Sequence, residues 1–341
     1  MRDFSCFGDA AVNLAAGAGG GAGAGAGGGA GAALDRSLQA ATASVYRVAL
    51  ASRKELRIRV TWTRSVAGAA AAAVAATGLA VAVDDGSRLS PAVAAVGTPR
   101  RSTAAALGSA QHYLQKKRGS RSFVTEAGTA VTIYWDTADA RYAAGSSPEP
   151  SRDYYLAVVA DAELALLLGG GEAARELACR FSPAPRRALL SRREQVRAPP
   201  FPSPAAAAAA QLVHTTRCRF RDDGAEHEVT VSCRGEEWGA RDGEVAVSVD
   251  GKKVVEARRV KWNFRGNRTA VLGDGAVVEV MWDVHDWWFA GVSGGGGGGG
   301  AQFMVKARGA ADGGRVWMDE EMAKKGQAPG GFFLHLQCYR R

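Results

Sequence analysis

Several signatures of chemistry are missing from this 341-residue chain. It has no Cys-x-x-Cys, no His-Glu-x-x-His and no Walker loop, so zinc ribbons, zincins and P-loop nucleotide chemistry have no motif to rest on. Cysteine is scarce: Cys6, Cys179, Cys218, Cys233 and Cys338 are odd in number and widely spaced. That argues against a disulfide scaffold and fits a reducing compartment. Met1-Arg2-Asp3-Phe4-Ser5-Cys6-Phe7 lacks an apolar core of signal-peptide length, and position 2 is not the Gly that myristoylation needs. A cytoplasmic or nuclear setting is expected. The formal charge is +9, yet no block of five or six like charges occurs, so no nucleic-acid-binding tail is visible. Long apolar runs are also missing. Val66–Val83 carries no charge, but it is mostly Ala and Gly, too poor in Leu, Ile, Phe and Val for a membrane span. No transmembrane segment, metal or cofactor is expected.

What the chain does have is short strands. Leu56-Arg57-Ile58-Arg59-Val60-Thr61-Trp62-Thr63 alternates apolar and polar without a break, as a half-buried strand does. Ala130–Asp136 alternates likewise, and Tyr154–Val159 with Leu164–Leu168 reads as a hairpin. Glu172–Cys179 reads as a short helix. Leu212–Phe220, Glu226–Cys233, Val245–Val249, Val254–Phe264, Ala276–Val284, Gln302–Lys306 and Phe332–Tyr339 supply further strands. Turn signals such as Asp84-Asp85-Gly86, Asp250-Gly251 and Gly273-Asp274-Gly275 fall between them. The pattern predicts an all-β fold.

The pattern also repeats. Arg118-Gly119 precedes Trp135-Asp136 by the spacing at which Arg265-Gly266 precedes Trp282-Asp283. We expect two related antiparallel β units, sandwich- or barrel-like, arranged as an internal duplication. Residues 1–40 form a disordered Gly/Ala-rich tail in this reading. Residues 41–180 are the first repeat and 181–210 a Pro-, Arg- and Ala-rich linker. Residues 211–341 are the second repeat, with a Gly-rich loop at 294–300.

Four constellations are candidates for function. Arg118 with Asp136 and Arg265 with Asp283 pair across neighbouring strands, either as register-setting ion pairs or as one polar site per repeat. His285, Trp287 and Trp288 either fill the core or line a pocket; a His–Asp pair brings no nucleophile with it. His214, Cys218, His227 and Cys233 have zinc-ligating side chains, but His227 and Cys233 lie roughly 20 Å apart along one strand, too far to share an ion. Lys261-Trp262-Asn263-Phe264-Arg265 interleaves basic and aromatic residues, although strand alternation would turn Trp262 and Phe264 away from the charges.

These stretches together resemble the land-plant family catalogued as domain of unknown function 868. The resemblance rests on Met1-Arg2-Asp3-Phe4, Lys117-Arg118-Gly119-Ser120, Ile133-Tyr134-Trp135-Asp136 and Ser191-Arg192-Arg193-Glu194. It is most specific at Trp262-Asn263-Phe264-Arg265-Gly266-Asn267 and Val278-Glu279-Val280-Met281-Trp282-Asp283-Val284-His285. It implies a plant origin, no particular activity and no functional residue. The reading drawn from the sequence is a non-enzymatic intracellular binding or scaffold module with a protein partner. Its candidate surface comprises Arg118, Asp136, Trp262, Arg265, Asp283, His285, Trp287 and Trp288. The alternatives are a small-ligand carrier or enzyme with a cavity inside a β-barrel, and, less favoured, nucleic-acid binding through the basic surface.

Overall fold

A computed structural model describes residues 38–64, 77–86, 110–142, 147–181, 186–197, 212–221, 224–235, 243–289, 300–308 and 331–339. The Gly/Ala tail up to 37, the Ala-rich stretch at 66–76, the poorly patterned 87–109 and the glycine run at 294–299 lie outside the described residues.

The fold is all-β, built from four antiparallel meanders. The first comprises β1 (Leu38–Ala49), β2 (Glu55–Arg64), β3 (Thr77–Asp84) and the two-residue β4 (His112–Tyr113). The second begins with β5 (Arg118–Val124) and β6 (Ala130–Asp136). A small ribbon of β7 (Arg141–Tyr142) and β8 (Pro150–Arg152) follows, and β9 (Tyr155–Ala160) and β10 (Glu163–Gly169) complete it. Helix α1 (Glu172–Arg180) packs Leu177 and Ala178 against Val159 and Leu164. A long strand, β11 (Arg186–Arg197), closes the first half.

The second half again runs through two four-stranded meanders. β12 (Leu212–Cys218), β13 (His227–Arg234), β14 (Glu244–Val249) and β15 (Lys252–Arg258) form one meander. After a helical turn, α2 (Val260–Asn263), the last meander runs β16 (Arg265–Val271), β17 (Val277–Asp283), β18 (Gly300–Ala307) and β19 (Phe333–Tyr339). A second helical turn, α3 (His285–Phe289), sits between β17 and β18.

Two expectations need correction. Residues 181–210 were expected as linker, with Ala188–Ser191 as the one stretch that could pack as a strand, but Arg186–Arg197 is a twelve-residue strand at the middle of the largest sheet. Its arginines mimic linker composition because only Ser191, Glu194 and Val196 are buried, while Arg186, Arg187, Arg193 and Arg197 project to solvent. Val254–Phe264 was expected as one strand. Instead the chain breaks at Arg259, which takes a left-handed conformation (φ 55°), and turns through α2. The burial phase shows why: Val255 and Ala257 face the core, and so does Val260, which no two-residue period connects to them.

β11 pairs antiparallel with β1 and parallel with β19, so one nine-stranded sheet runs β16-β17-β18-β19-β11-β1-β2-β3-β4. Directly paired residues share a face. Trp62 pairs with Thr42, Thr42 with Glu194, and Glu194 with Leu336. Trp62 belongs to the first core and Leu336 to the second, so both cores lie on one side of this sheet. The β5–β10 sheet covers the first, through Ile133, Trp135, Leu156 and Leu166; the β12–β15 sheet covers the second, through Val229, Val231, Val245 and Val247. The strict alternation of β12 and β13, buried at every second residue, produces that inner face. Each fully buried Leu, Ile or Val contributes about 1.5–3 kcal/mol of transfer free energy.

Between the cores the seam is polar. Glu194 is 0% exposed. One of its oxygens accepts hydrogen bonds from Arg192 Nε (2.6 Å) and Thr216 Oγ1 (2.7 Å); the other lies 2.8 Å from His214 Nε2. Arg192 also donates to Glu149 at 2.7 Å, tying the start of β8 to β11. Burial pushes the Glu194 carboxyl up, but Arg192 and His214 outweigh it and hold it near 2.

Candidate functional site

The Arg-Gly and Trp-Asp pairs meet across the first hairpin of each half's second meander. Arg118 stands opposite Asp136 on β5 and β6, and Arg265 opposite Asp283 on β16 and β17. The ion pairs measure 3.6 Å and 2.7 Å. The next position pairs Gly119 with Trp135 and Gly266 with Trp282. The absence of a side chain lets the indole cross the neighbouring strand: a Cβ on Gly266 would sit 2.3 Å from Trp282 Cζ2, and one on Gly119 3.2 Å from Trp135 Cζ2. Each indole Nε1 then donates to a backbone carbonyl, Trp135 to Lys116 at 2.8 Å and Trp282 to Asn263 at 3.1 Å. Each aspartate uses its second oxygen to accept a backbone N–H two residues on, from Ala138 at 2.9 Å and His285 at 3.0 Å. The hairpin turns match as well, Gly128 donating to Thr125 and Gly275 to Leu272, both at 3.0 Å. All these contacts recur at one constant offset along the chain, the one that carries Trp135 to Trp282. The motif is a clasp that fixes hairpin register. Its ion pair contributes about 0–1 kcal/mol where exposed, and the indole over glycine contributes more through burial.

The second-half clasp holds α2 and α3 at its end. Trp262 was expected inward on a strand. It is instead 77% exposed on α2, with Lys261 Nζ 6.0 Å from its ring centre. Val260, fully buried in the second core, anchors the turn, and Asn263 Nδ2 donates to Arg258 O at 2.7 Å. On α3 the three candidates part company. His285 stays half-exposed, 2.9 Å from Asp286, with its ring against Phe264 and Phe289. Trp287 and Trp288 turn inward, 1% and 6% exposed, and join the second core. They therefore offer no surface: the helical turn sets Trp287 opposite the exposed His285, and Trp288, nearer His285 around the turn, also packs into the second core.

The zinc-type residues are used for other purposes. His214 binds Glu194. His227 Nδ1 lies 2.7 Å from Asp250 and Nε2 3.1 Å from Asp274, so its ring bridges two turns. Burial lowers its pKa, but the two carboxylates outweigh that and leave it raised. Cys218, pushed up to about 12 by burial, and Cys233 are packed in the core. Among the described residues no group of three or more His, Cys, Asp or Glu is placed to hold a metal ion. A Gly-x-Ser-x-Gly pattern at Gly291–Gly295 arises in the glycine-rich run and lies outside the described residues.

A concavity elsewhere left little trace in the sequence. A cleft of about 700 Å³ opens between β4 and β5, lined by Tyr113, Lys116, Arg118, Ser120, Arg121 and the Trp135 indole, among others. Its signal was the run Lys116-Lys117-Arg118 beside an exposed Tyr113.

A family model described as plant protein of unknown function, DUF868, matches residues 37–339. The chain belongs to this family. The match spans both halves, both clasps and β11, so the family unit is the paired fold rather than either half. No curated protein matches the chain. The crystal structure of an AttH candidate from Nitrosomonas europaea is 12% identical, covering 80% of this chain and 89% of that one at a TM-score of 0.23. A likeness so remote carries no argument. Among the described residues no helix is long and apolar enough to cross a membrane.

Proposed function

We propose that this DUF868 protein is a non-enzymatic, intracellular binding module that engages a protein partner through the Trp262 face of its second half. Trp262 itself carries the reading: a large aromatic, 77% exposed, on a turn whose root is buried. Tryptophan and arginine dominate binding energy at protein interfaces. Exposed Lys261, Arg258, Arg259 and Arg265 share the segment with it. The turn is fixed before any partner arrives, because Trp282 donates to its Asn263 carbonyl and the Asn263 side chain donates back to Arg258 O, which lowers the ordering cost of binding. The small-ligand carrier reading needs an internal cavity, whereas the inward positions of both halves hold packed apolar side chains. All the described cysteines are free thiols, in keeping with a reducing setting.

One observation favours a second reading. With Trp262 exposed beside Lys261, an aromatic platform for nucleic acid exists after all. Single-strand binders stack successive bases on several aromatics, and α2 presents Trp262 alone, so the protein partner ranks first.

Affinity capture from plant tissue, with and without nuclease, compares the native chain with Trp262→Ala. A discrete protein that survives nuclease and is lost with Trp262→Ala is the expected result. Truncating a central tryptophan costs about 2 kcal/mol or more, roughly thirtyfold in affinity. Capture that vanishes with nuclease, and weakens steeply with salt, would move the assignment to nucleic acid.

A further inference from the structure

We infer that the cleft beside β5 receives an acidic peptide in extended conformation, added as a further strand to the edge of β5 that no described strand covers. The inference is independent of the Trp262 face.

The geometry begins with the hydrogen-bond ladder. In an antiparallel pair, residues alternate between those bonded to the partner strand and those whose N–H and C=O point away. Thr137 N donates to Lys117 O at 2.7 Å, and Thr125 N donates to Thr129 O at 3.0 Å. Those two bonds set the phase over the register between them: 117, 119, 121, 123 and 125 face β6. Arg118, Ser120 and Ser122 therefore turn their backbone N–H and C=O groups to the opposite side. Among the described strands none pairs with β5 there, since β5 ends its sheet and the two-residue β4 pairs only with β3. The cleft lies against that edge, between the segment from Tyr113 to Lys116 and the strand from Arg118 to Arg121. Its volume is within the range of ligand sites.

Charge selects the occupant. Lys116, Arg118 and Arg121 line the cleft, and among its lining residues no side chain is anionic. Asp136 holds Arg118 only at 3.6 Å, with the arginine 70% exposed, so most of the guanidinium is available. Cations alone would serve any polyanion. The edge, however, offers carbonyl oxygens alternating with N–H groups. A phosphate backbone has no donor for those carbonyls, whereas a peptide strand supplies donors and acceptors in register. A second copy of this chain would bring the same cations to the same edge and be repelled. An acidic extended peptide satisfies both the ladder and the charge.

The test uses the full chain and fluorescence polarisation. The probe is a labelled octapeptide alternating Glu and Val. Its comparators are the same peptide N-methylated at every second residue, a Lys-Val version and a short oligothymidine. The expected result is binding of the Glu-Val peptide, weakened about tenfold or more by N-methylation and by Arg118→Glu/Arg121→Glu. Ser120→Pro should also abolish binding while preserving the fold, because the N–H it removes points away from β6 and edge strands tolerate proline. If Ser120→Pro fails the circular-dichroism check, the charge variant and the N-methylated peptide still decide the matter. Binding indifferent to N-methylation would overturn strand addition. Tighter binding of oligothymidine would overturn the peptide in favour of nucleic acid. If no probe binds, the proposal falls, and the cations are guards on a bare edge.

Discussion

Glu194 carries a carboxylate with no exposed surface, made tolerable by Arg192, His214 and Thr216. Removing one partner of a buried pair costs more than the pair contributes. Glu194→Gln should destabilise the protein by about 3 kcal/mol in urea denaturation, the lower end of the usual range because Glu149 still faces Arg192. The pH dependence has a defined sign. A carboxyl held near 2 when folded and ordinary when unfolded contributes its stability above about pH 4.5. That contribution drains away as pH falls from about 4.5 towards 2, and acid titration of the native chain against Glu194→Gln should show the difference. Gly266→Ala offers a second residue-scale prediction. The added Cβ would meet the Trp282 ring at 2.3 Å, against 3.2 Å at Gly119. Gly266→Ala should therefore cost about 1–3 kcal/mol, and Gly119→Ala distinctly less, by thermal or urea unfolding.

Elements show where sequence patterns speak and where they fall silent. β2, β6, β12 and β13 were legible because one face meets a core and the other meets water, which stamps a two-residue period on the chain. The Arg–Asp pairing was legible for the same reason, its spacing fixing one hairpin in each half. β11 was legible only at Ala188–Ser191, because its arginine-rich remainder reads as solvent even though the backbone sits in mid-sheet. The turn at Arg259 carries no Gly, Pro or Asp, so only the slip in phase between Ala257 and Val260 marked it. The burial of Trp287 and Trp288 was one of two readings, and helical rather than strand geometry decided between them. His227 is an element-scale device: it fastens the start of β13 to the turns at Asp250 and Asp274. Its raised pKa places its contribution fully below pH 6.5 and removes it as pH rises through the folded value. Protection factors in the 272–276 turn, with the intrinsic pH dependence of amide exchange divided out, should fall over that upward range, and His227→Gln should abolish that fall.

On the scale of the whole molecule, one continuous sheet floors both cores. Neither half has a complete strand set without β11 and its two neighbours. Unfolding should therefore be a single cooperative event rather than two. Ile58→Ala, buried in the first core, should cost about 2–5 kcal/mol. It should shift the unfolding of the second-core tryptophans Trp287 and Trp288 equally, read as coincident fluorescence and circular-dichroism transitions. Two separated transitions would show that the halves are energetically independent despite the shared sheet.

The parallel pairing of β11 with β19 also has a consequence during protein synthesis. As the nascent chain leaves the ribosome, β11 can dock on β1 at once, while its other edge waits for the last described strand of the chain. The first half must therefore persist with that edge bare through translation of the entire second half, and the arginines along it would keep such intermediates apart. A premature stop ahead of Phe333 would make that transient state permanent, leaving a product prone to capture by chaperones or degradation.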